Sequence, residues 1–165
     1  MKRKILAVYP GSFDPPTNGH LNIVKRTLQL FPKLVIAITQ NVHKTPLFSL
    51  KERLQLLKKI TSNLDNVEVI SFSGLLVDYL KVVDAFVVIR GLRVFSDFER
   101  ELQMALINRK LNKNIETVFL IPDHSYTFLS SSAVKELAMF GTNVSEFVPK
   151  YVEIALKKRI YCNLK

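Results

Sequence analysis

The chain has one cysteine, no tryptophan, five glycines and three histidines among its 165 residues. The lone Cys162 excludes an internal disulfide framework and any multi-cysteine zinc site. His20, His43 and His124 are too far apart for the usual local metal-ligand spacings. Glycine stands only at 11, 19, 74, 91 and 141, so no G-x-G occurs and the dinucleotide fingerprint is missing. No glycine precedes a Lys-Ser or Lys-Thr pair at P-loop spacing, so that phosphate motif is missing too. The longest apolar runs, such as 85–89, are too short to span a bilayer. Behind Lys2-Arg3-Lys4, Pro10 and Asp14 interrupt the apolar stretch too early for a signal peptide. The expectation is a reduced, cytoplasmic setting.

Apolar residues make up 48% of the chain, enough for a real core and too many for a disordered one. Its length suits one domain over 1–165. Lys and Arg number 24 against 14 Asp and Glu, a formal net charge of +10. That excess is dispersed, with no run longer than three, so a solvated positive surface is expected before a nucleic-acid arm. Neither a nucleic-acid nor a membrane partner is expected.

Apolar, β-branched runs alternate with stretches of helical period. The runs lie at 4–9, 34–39, 67–72, 85–90 and 117–121, and read as strands covered on both faces. Helices are expected near 18–30, 50–63, 75–82, 96–112, 131–140 and 149–160, the last packed on the domain. Ser49 and Ser96 are candidate N-caps, with Glu52 and Glu99 completing capping boxes. Strand and helix alternating five times predicts an α/β fold, a doubly wound five-stranded parallel sheet of Rossmann-like type.

In such a fold ligands bind beyond the carboxyl ends of the strands. Those ends carry the chemically unusual residues: Pro10 to His20, Asn41 to Pro46, Phe72 to Leu76, Arg90 to Arg93, and Asp123 to Ser132. Gly11 and Gly19 would let backbone approach a ligand, and Thr17 or Asn18 would start a helix whose N-terminus favours anions. His20, in its first turn, would offer a ring N–H to a phosphoryl oxygen. Arg90 ends an apolar run and needs an anion or carboxylate partner; an anionic ligand is favoured over an internal salt bridge. One serine suffices for a cap before 131–140, so Ser130, Ser131 and Ser132 suit triphosphate oxygens.

The stretch Tyr9-Pro-Gly-Ser-Phe-Asp-Pro-Pro-Thr-Asn-Gly-His20 resembles the (T/H)xGH signature of the nucleotidylyltransferase superfamily. Together with Arg90-Gly-Leu-Arg93, Ser96-Asp-Phe-Glu99, Glu101 and Phe128-Leu-Ser-Ser-Ser132, it is similar to the bacterial phosphopantetheine adenylyltransferases, from about residue 4 to 150. The resemblance implies AMP transfer from ATP to 4′-phosphopantetheine, giving dephospho-coenzyme A and pyrophosphate in coenzyme A synthesis. It also implies Mg²⁺ with ATP and a homohexamer. Carried over by motif, Ser12, Lys44, Leu76 and Arg90 would meet the pantetheine substrate. Ser12, Phe13, His20, Gly91, Leu92, Arg93, Glu101, Tyr126, Thr127, Phe128, Leu129, Ser130, Ser131 and Ser132 would meet ATP. Position 12 is Ser where relatives often have Thr, position 127 is Thr where they often have Ser, and Val94-Phe95 replaces Ala-Val.

The residues agree with that chemistry on their own terms. A phosphate nucleophile is already anionic near neutral pH, so no general base is required, and no carboxylate base stands out. His20, Lys44 and Arg93 are the expected catalytic groups, with His20 on the α-phosphoryl oxygens and Lys44 and Ser12 on the incoming phosphate. Rival readings are a nucleotidylyltransferase using another phosphorylated acceptor, a nucleic-acid-binding module and a non-catalytic ATP-binding regulator. The single Gly11 with Thr17, the dispersed charge and the intact His20, Lys44 and Arg90 disfavour each in turn.

Overall fold

The computed structural model describes residues 5–39, 45–93 and 95–163. Five strands, β1 (Leu6–Gly11), β2 (Lys33–Ile38), β3 (Val67–Ser71), β4 (Val87–Gly91) and β5 (Glu116–Leu120), form one parallel sheet in the order β3-β2-β1-β4-β5. The helices are α1 (Asn18–Leu30), α2 (Leu50–Ile60), α3 (Leu76–Val82), α4 (Phe95–Leu111), α5 (Ser131–Met139) and α6 (Lys150–Asn163). A 3₁₀ turn, His124–Tyr126, is the one element that periodicity did not announce.

The alternating side chains of the inner strands explain why they read as continuous apolar runs. Tyr9, Ile36 and Ile89 face one side, where Ile23 and Val24 of α1 and Leu57 of α2 cover them. Val8, Val35 and Val88 face the other, against Val77 and Leu80 of α3. A separate cluster joins Phe48 and Leu129 to α5 and α6 through Val134, Val152 and Leu156. β3 and β5 depart from expectation: they are the edge strands, partly exposed along their length and not covered on both faces.

Ser49 caps α2 as its spacing predicts, accepting from the Glu52 backbone N–H while the Glu52 carboxylate accepts from that of Ser49. Ser96 falls inside the first turn of α4, which starts one residue earlier, and not at the position before the helix. α5 ends in a Schellman turn: Thr142 N–H donates to Leu137 O and Gly141 N–H to Ala138 O, with Gly141 at φ 76. Among the described residues no helix is long and apolar enough to cross a membrane.

The strand order reverses between β1 and β4, whose carboxyl ends diverge toward helices α1 and α4. Such a divergence leaves a crevice at the strand ends, and it is here that the sequence concentrates its polar residues.

Candidate active site

A cavity of about 570 Å³ opens at that crevice. Its wall combines Gly11, Ser12 and Phe13 after β1, His20 on α1, Arg90, Gly91 and Arg93 after β4, Glu101 on α4, and Tyr126, Leu129, Ser130, Ser131 and Ser132 before and within α5. Residues from three separate stretches of chain, 9–23, 90–104 and 122–132, thus share one space. Lys44 lies outside the described residues. Leu76, Leu92, Thr127 and Phe128 do not line this cavity. Leu76 packs against the α3 side of the sheet, and Leu92 N–H extends the β4–β5 pairing by donating to Leu120 O. Thr127 Oγ1 donates to His124 O, and the exposed Phe128 ring meets Phe147 edge-on.

His20 is the third residue of α1, and its ring completes an unusual capping box. Thr17 backbone N–H donates to His20 Nδ1 at 3.0 Å, while Thr17 Oγ1 accepts from His20 N–H at 3.3 Å. A backbone N–H can only donate, so Nδ1 must be the bare nitrogen and the ring proton sits on Nε2. Burial lowers the His20 pKa to about 4, helped by Arg93 and Arg90. At neutral pH the ring is therefore an uncharged Nε2–H donor. Beneath it, Phe13 packs edge-on at 5.0 Å and in turn meets Tyr9 at 5.3 Å. Burial also pushes the Tyr9 phenol up to about 12, so it stays neutral.

This state has a pH signature. The unfolded imidazole takes up a proton near pH 6.5, the folded one only near 4. Between those values the unfolded chain binds more protons, so stability falls as pH drops through the window, by at most about 3 kcal/mol. Above pH 6.5 neither state is charged and the group adds no slope. Urea unfolding at pH 7 and 4.5 should show the loss, and a His20→Gln chain should lose less; equal losses would place the ring in solvent.

The glycines play a different part from the one expected. A Cβ on Gly11 would come within 2.9 Å of the Phe13 ring, so that space belongs to protein, not ligand. At Gly19 a Cβ would stand 3.5 Å from Tyr126 Cβ, an ordinary contact between α1 and the 3₁₀ turn after β5. Phe13 holds φ at 48, a region that costs a non-glycine residue roughly 1–2 kcal/mol. Its neighbours fix it there. Arg53 Nη1 donates to Ser12 O at 2.7 Å, and Asp14 accepts the N–H groups of Leu47 and Phe48 at 2.9 Å each, plus Lys135 Nζ at 2.9 Å.

The arginines are braced by carboxylates. Arg90 Nε and Nη2 form a fork on Glu101 at 2.5 Å, and Nη1 donates to Pro10 O. The expectation that a ligand, not an internal salt bridge, would partner Arg90 is corrected: Glu101, which the resemblance assigned to ATP, holds it. Both residues are only partly exposed, so the desolvated charge needed a partner in the free chain. Arg93 repeats the design, forked on Asp97 with Nη1 on Leu129 O. Each guanidinium has five N–H donors and, among the described residues, uses three on protein and leaves two.

The serine triplet is also partly committed. Ser130 Oγ caps α5 by accepting from Ala133 N–H, and Ser131 Oγ donates to Pro15 O at 2.8 Å. Of the three hydroxyls only that of Ser132 has no protein partner among the described residues. The backbone N–H groups of Ser131 and Ser132, at the start of α5, have none there either.

Sequence reasoning missed Arg100 and Met104, which line the cavity with Asp97 and Glu101. The four recur at helical spacing on one face of α4, a signal present in the sequence. It missed Arg53 because a lysine- and arginine-rich helix gives no sign of which cation turns inward.

A family model described as cytidylyltransferase-like matches residues 8–137. A curated protein named phosphopantetheine adenylyltransferase from Caldanaerobacter subterraneus subsp. tengcongensis is 54% identical over 154 residues, 93% of this chain and 96% of its own. One of the same name from Dictyoglomus turgidum is 54% identical over 148 residues, 90% of this chain and 92% of its own. Among solved structures, a putative nicotinate-nucleotide adenylyltransferase from Vibrio parahaemolyticus has a TM-score of 0.71 at 15% identity, covering 96% of both chains. Plasmodium falciparum nicotinic acid mononucleotide adenylyltransferase, solved with NaAD, has a TM-score of 0.69 at 15% identity, covering 97% of this chain and 98% of that one. At that identity the two structures speak for the fold.

Proposed function

Because the chain belongs to the phosphopantetheine adenylyltransferase family, within the cytidylyltransferase-like nucleotidyltransferases, we infer that it makes dephospho-coenzyme A. It is an enzyme of coenzyme A synthesis, joining the AMP of ATP to 4′-phosphopantetheine. The observation that carries the reading is the cavity itself, where a neutral histidine, two braced arginines and a helix N-terminus converge.

In this reading an acceptor phosphate oxygen attacks the α-phosphorus in line, and the bond to the β-phosphate oxygen breaks as pyrophosphate leaves. His20 Nε2–H donates to the α-phosphoryl oxygens as charge builds there. Arg93, Ser132 and the free N–H groups at the start of α5 hold the β- and γ-phosphates. Ser12 and Lys44 hold the acceptor phosphate, with the spare N–H groups of Arg90. Phe13 contributes backbone only, since its ring is packed beneath His20. Glu101 acts through Arg90 and Asp97 through Arg93, each fixing a guanidinium before substrate arrives.

The donor set fits a Mg²⁺ ion brought by ATP and held by phosphate oxygens and water. Asp97 and Glu101 are each occupied by an arginine, and among the described residues no three His, Cys, Asp or Glu converge. When bound, such an ion offsets phosphate charge.

α4 is apolar on two sides, which a solvated helix would not be. Met104 lines the cavity and suits the acceptor's uncharged arm, and Ile107 and Leu111 continue the same face of α4 in the open. Phe98, Leu102 and Leu106 lie on the other side, where Phe98 meets Phe119 of the half-buried edge strand. A second copy covering that side would supply one of the contacts of the homohexamer that the family resemblance implies, and the ATP-dependent reaction suits the cytoplasm.

The test is pyrophosphate release with ATP, Mg²⁺ and either 4′-phosphopantetheine or nicotinate mononucleotide, the product identified by mass. Turnover with the first and not the second is expected. The reverse would assign the cavity to a different acceptor.

A further inference from the structure

Between α2 and α6, with Phe48 in its wall, lies a second cavity of about 690 Å³. Its floor is apolar, made by Phe48, Leu56 and Ala155, and Tyr151 stands exposed at one side. Its mouth is cationic: Lys59, Lys158 and Arg159 against one acid, Glu52. Glu52 is taken by Arg159, which also lies over the Phe48 ring. Lys59 sits 4.9 Å over the Tyr151 ring. Lys158 has no acidic partner among the described residues. The groove thus pairs an aromatic and aliphatic floor with two uncompensated positive charges.

We propose that this groove is a second binding site, for a small organic anion with a flat aromatic body, whose occupancy acts on the loop that carries Ser12. The charge selects the ligand's sign, and the exposed Tyr151 gives its ring a surface to stack on, while Phe48 lies buried beneath Arg159. The connection is short. Phe48 O accepts from Arg53 Nε at 3.1 Å, and the same guanidinium donates to Ser12 O at 2.7 Å and Thr39 O at 3.4 Å. Phe48 N–H donates to Asp14 at 2.9 Å. A ligand that engages Arg159, which lies over Phe48, therefore bears through Phe48 on both Arg53 and Asp14, the side chains that hold residues 12–14, and any coupling is reciprocal. That effect on the acceptor rests on the proposed function; the site and its link to residues 12–14 do not.

The test titrates the full chain with anilinonaphthalene sulfonate while saturating ATP fills the first cavity. One ATP-insensitive site per chain is expected, weakened at least about tenfold by Ala155→Trp, which fills the floor, and by Lys158→Glu, which reverses a mouth charge. Probe occupancy should slow hydrogen exchange of the Phe48 amide and of residues 12–14 by about fivefold or more. Saturating 4′-phosphopantetheine should then shift probe affinity by about threefold or more. Unaltered probe binding in both variants, or displacement of the probe by ATP, overturns the site. Unchanged exchange at 12–14 overturns the link. A Lys158→Glu chain that changes its oligomeric mass without losing the probe would instead make the groove a subunit contact, and also overturns it. Failure of the acceptor assay with the probe results intact would sink the functional reading alone.

Discussion

Replacing His20 by Ala is expected to lower kcat by about 10²–10³-fold, with KM for ATP changing far less. The cause is electrostatic. A neutral Nε2–H, fixed by the Thr17 N–H on the other nitrogen, needs no reorganisation to meet charge developing on the α-phosphoryl group. A solvent-exposed histidine would have to select its tautomer and its rotamer at each turnover. His20→Asn retains a donor on a shorter side chain and should fall between the two. The kcat split matters because loss of folding would lower active concentration without distinguishing ground state from transition state. An Ala variant with near wild-type kcat would remove His20 from the reacting atoms.

Asp14→Ala should cost about 3–5 kcal/mol of stability. The Asp14 side chain is 7% exposed and accepts two backbone N–H groups and the ammonium of Lys135. Truncation strands all three donors, and the partly buried ammonium contributes most of the penalty. Adding Lys135→Met to Asp14→Ala removes the stranded charge and should recover a part of the loss in urea unfolding. If the single variant unfolds at the wild-type denaturant midpoint, solvent already satisfies those donors and the buried carboxylate is not the anchor described above. Asp14 also ties the 45–48 segment and α5 to the turn after β1, so the variant should raise KM for the acceptor.

How much of this was legible beforehand depends on the range of the interactions involved. The helices were readable because their causes are local: Ser49 and Glu52 are three residues apart and their capping box formed as spaced. The strands came within about two residues of expectation because burial on both faces writes itself as an unbroken apolar run. The same rule failed at β3 and β5, where edge position, invisible in the runs Val67 to Phe72 and Thr117 to Ile121, leaves each strand partly open. The gathering of Ser12, His20, Arg90, Arg93 and Ser131 followed from topology once the sheet was taken as parallel.

The pairing of those groups did not. Arg90 finds Glu101 across one turn of chain reversal, and Asp14 finds Lys135 121 residues away; neither separation has a period that sequence could display. Nothing near Thr17 in the chain distinguishes a free imidazole from one whose Nδ1 closes a helix cap. The amino-acid sequence by itself determined the sheet, its helices and the rim where chemistry collects, since local propensity and hydrophobic period suffice for these. Only the tertiary structure decided which arginine faces which carboxylate, which serine remains free and which nitrogen holds the proton, because those depend on the distances and burial that folding creates.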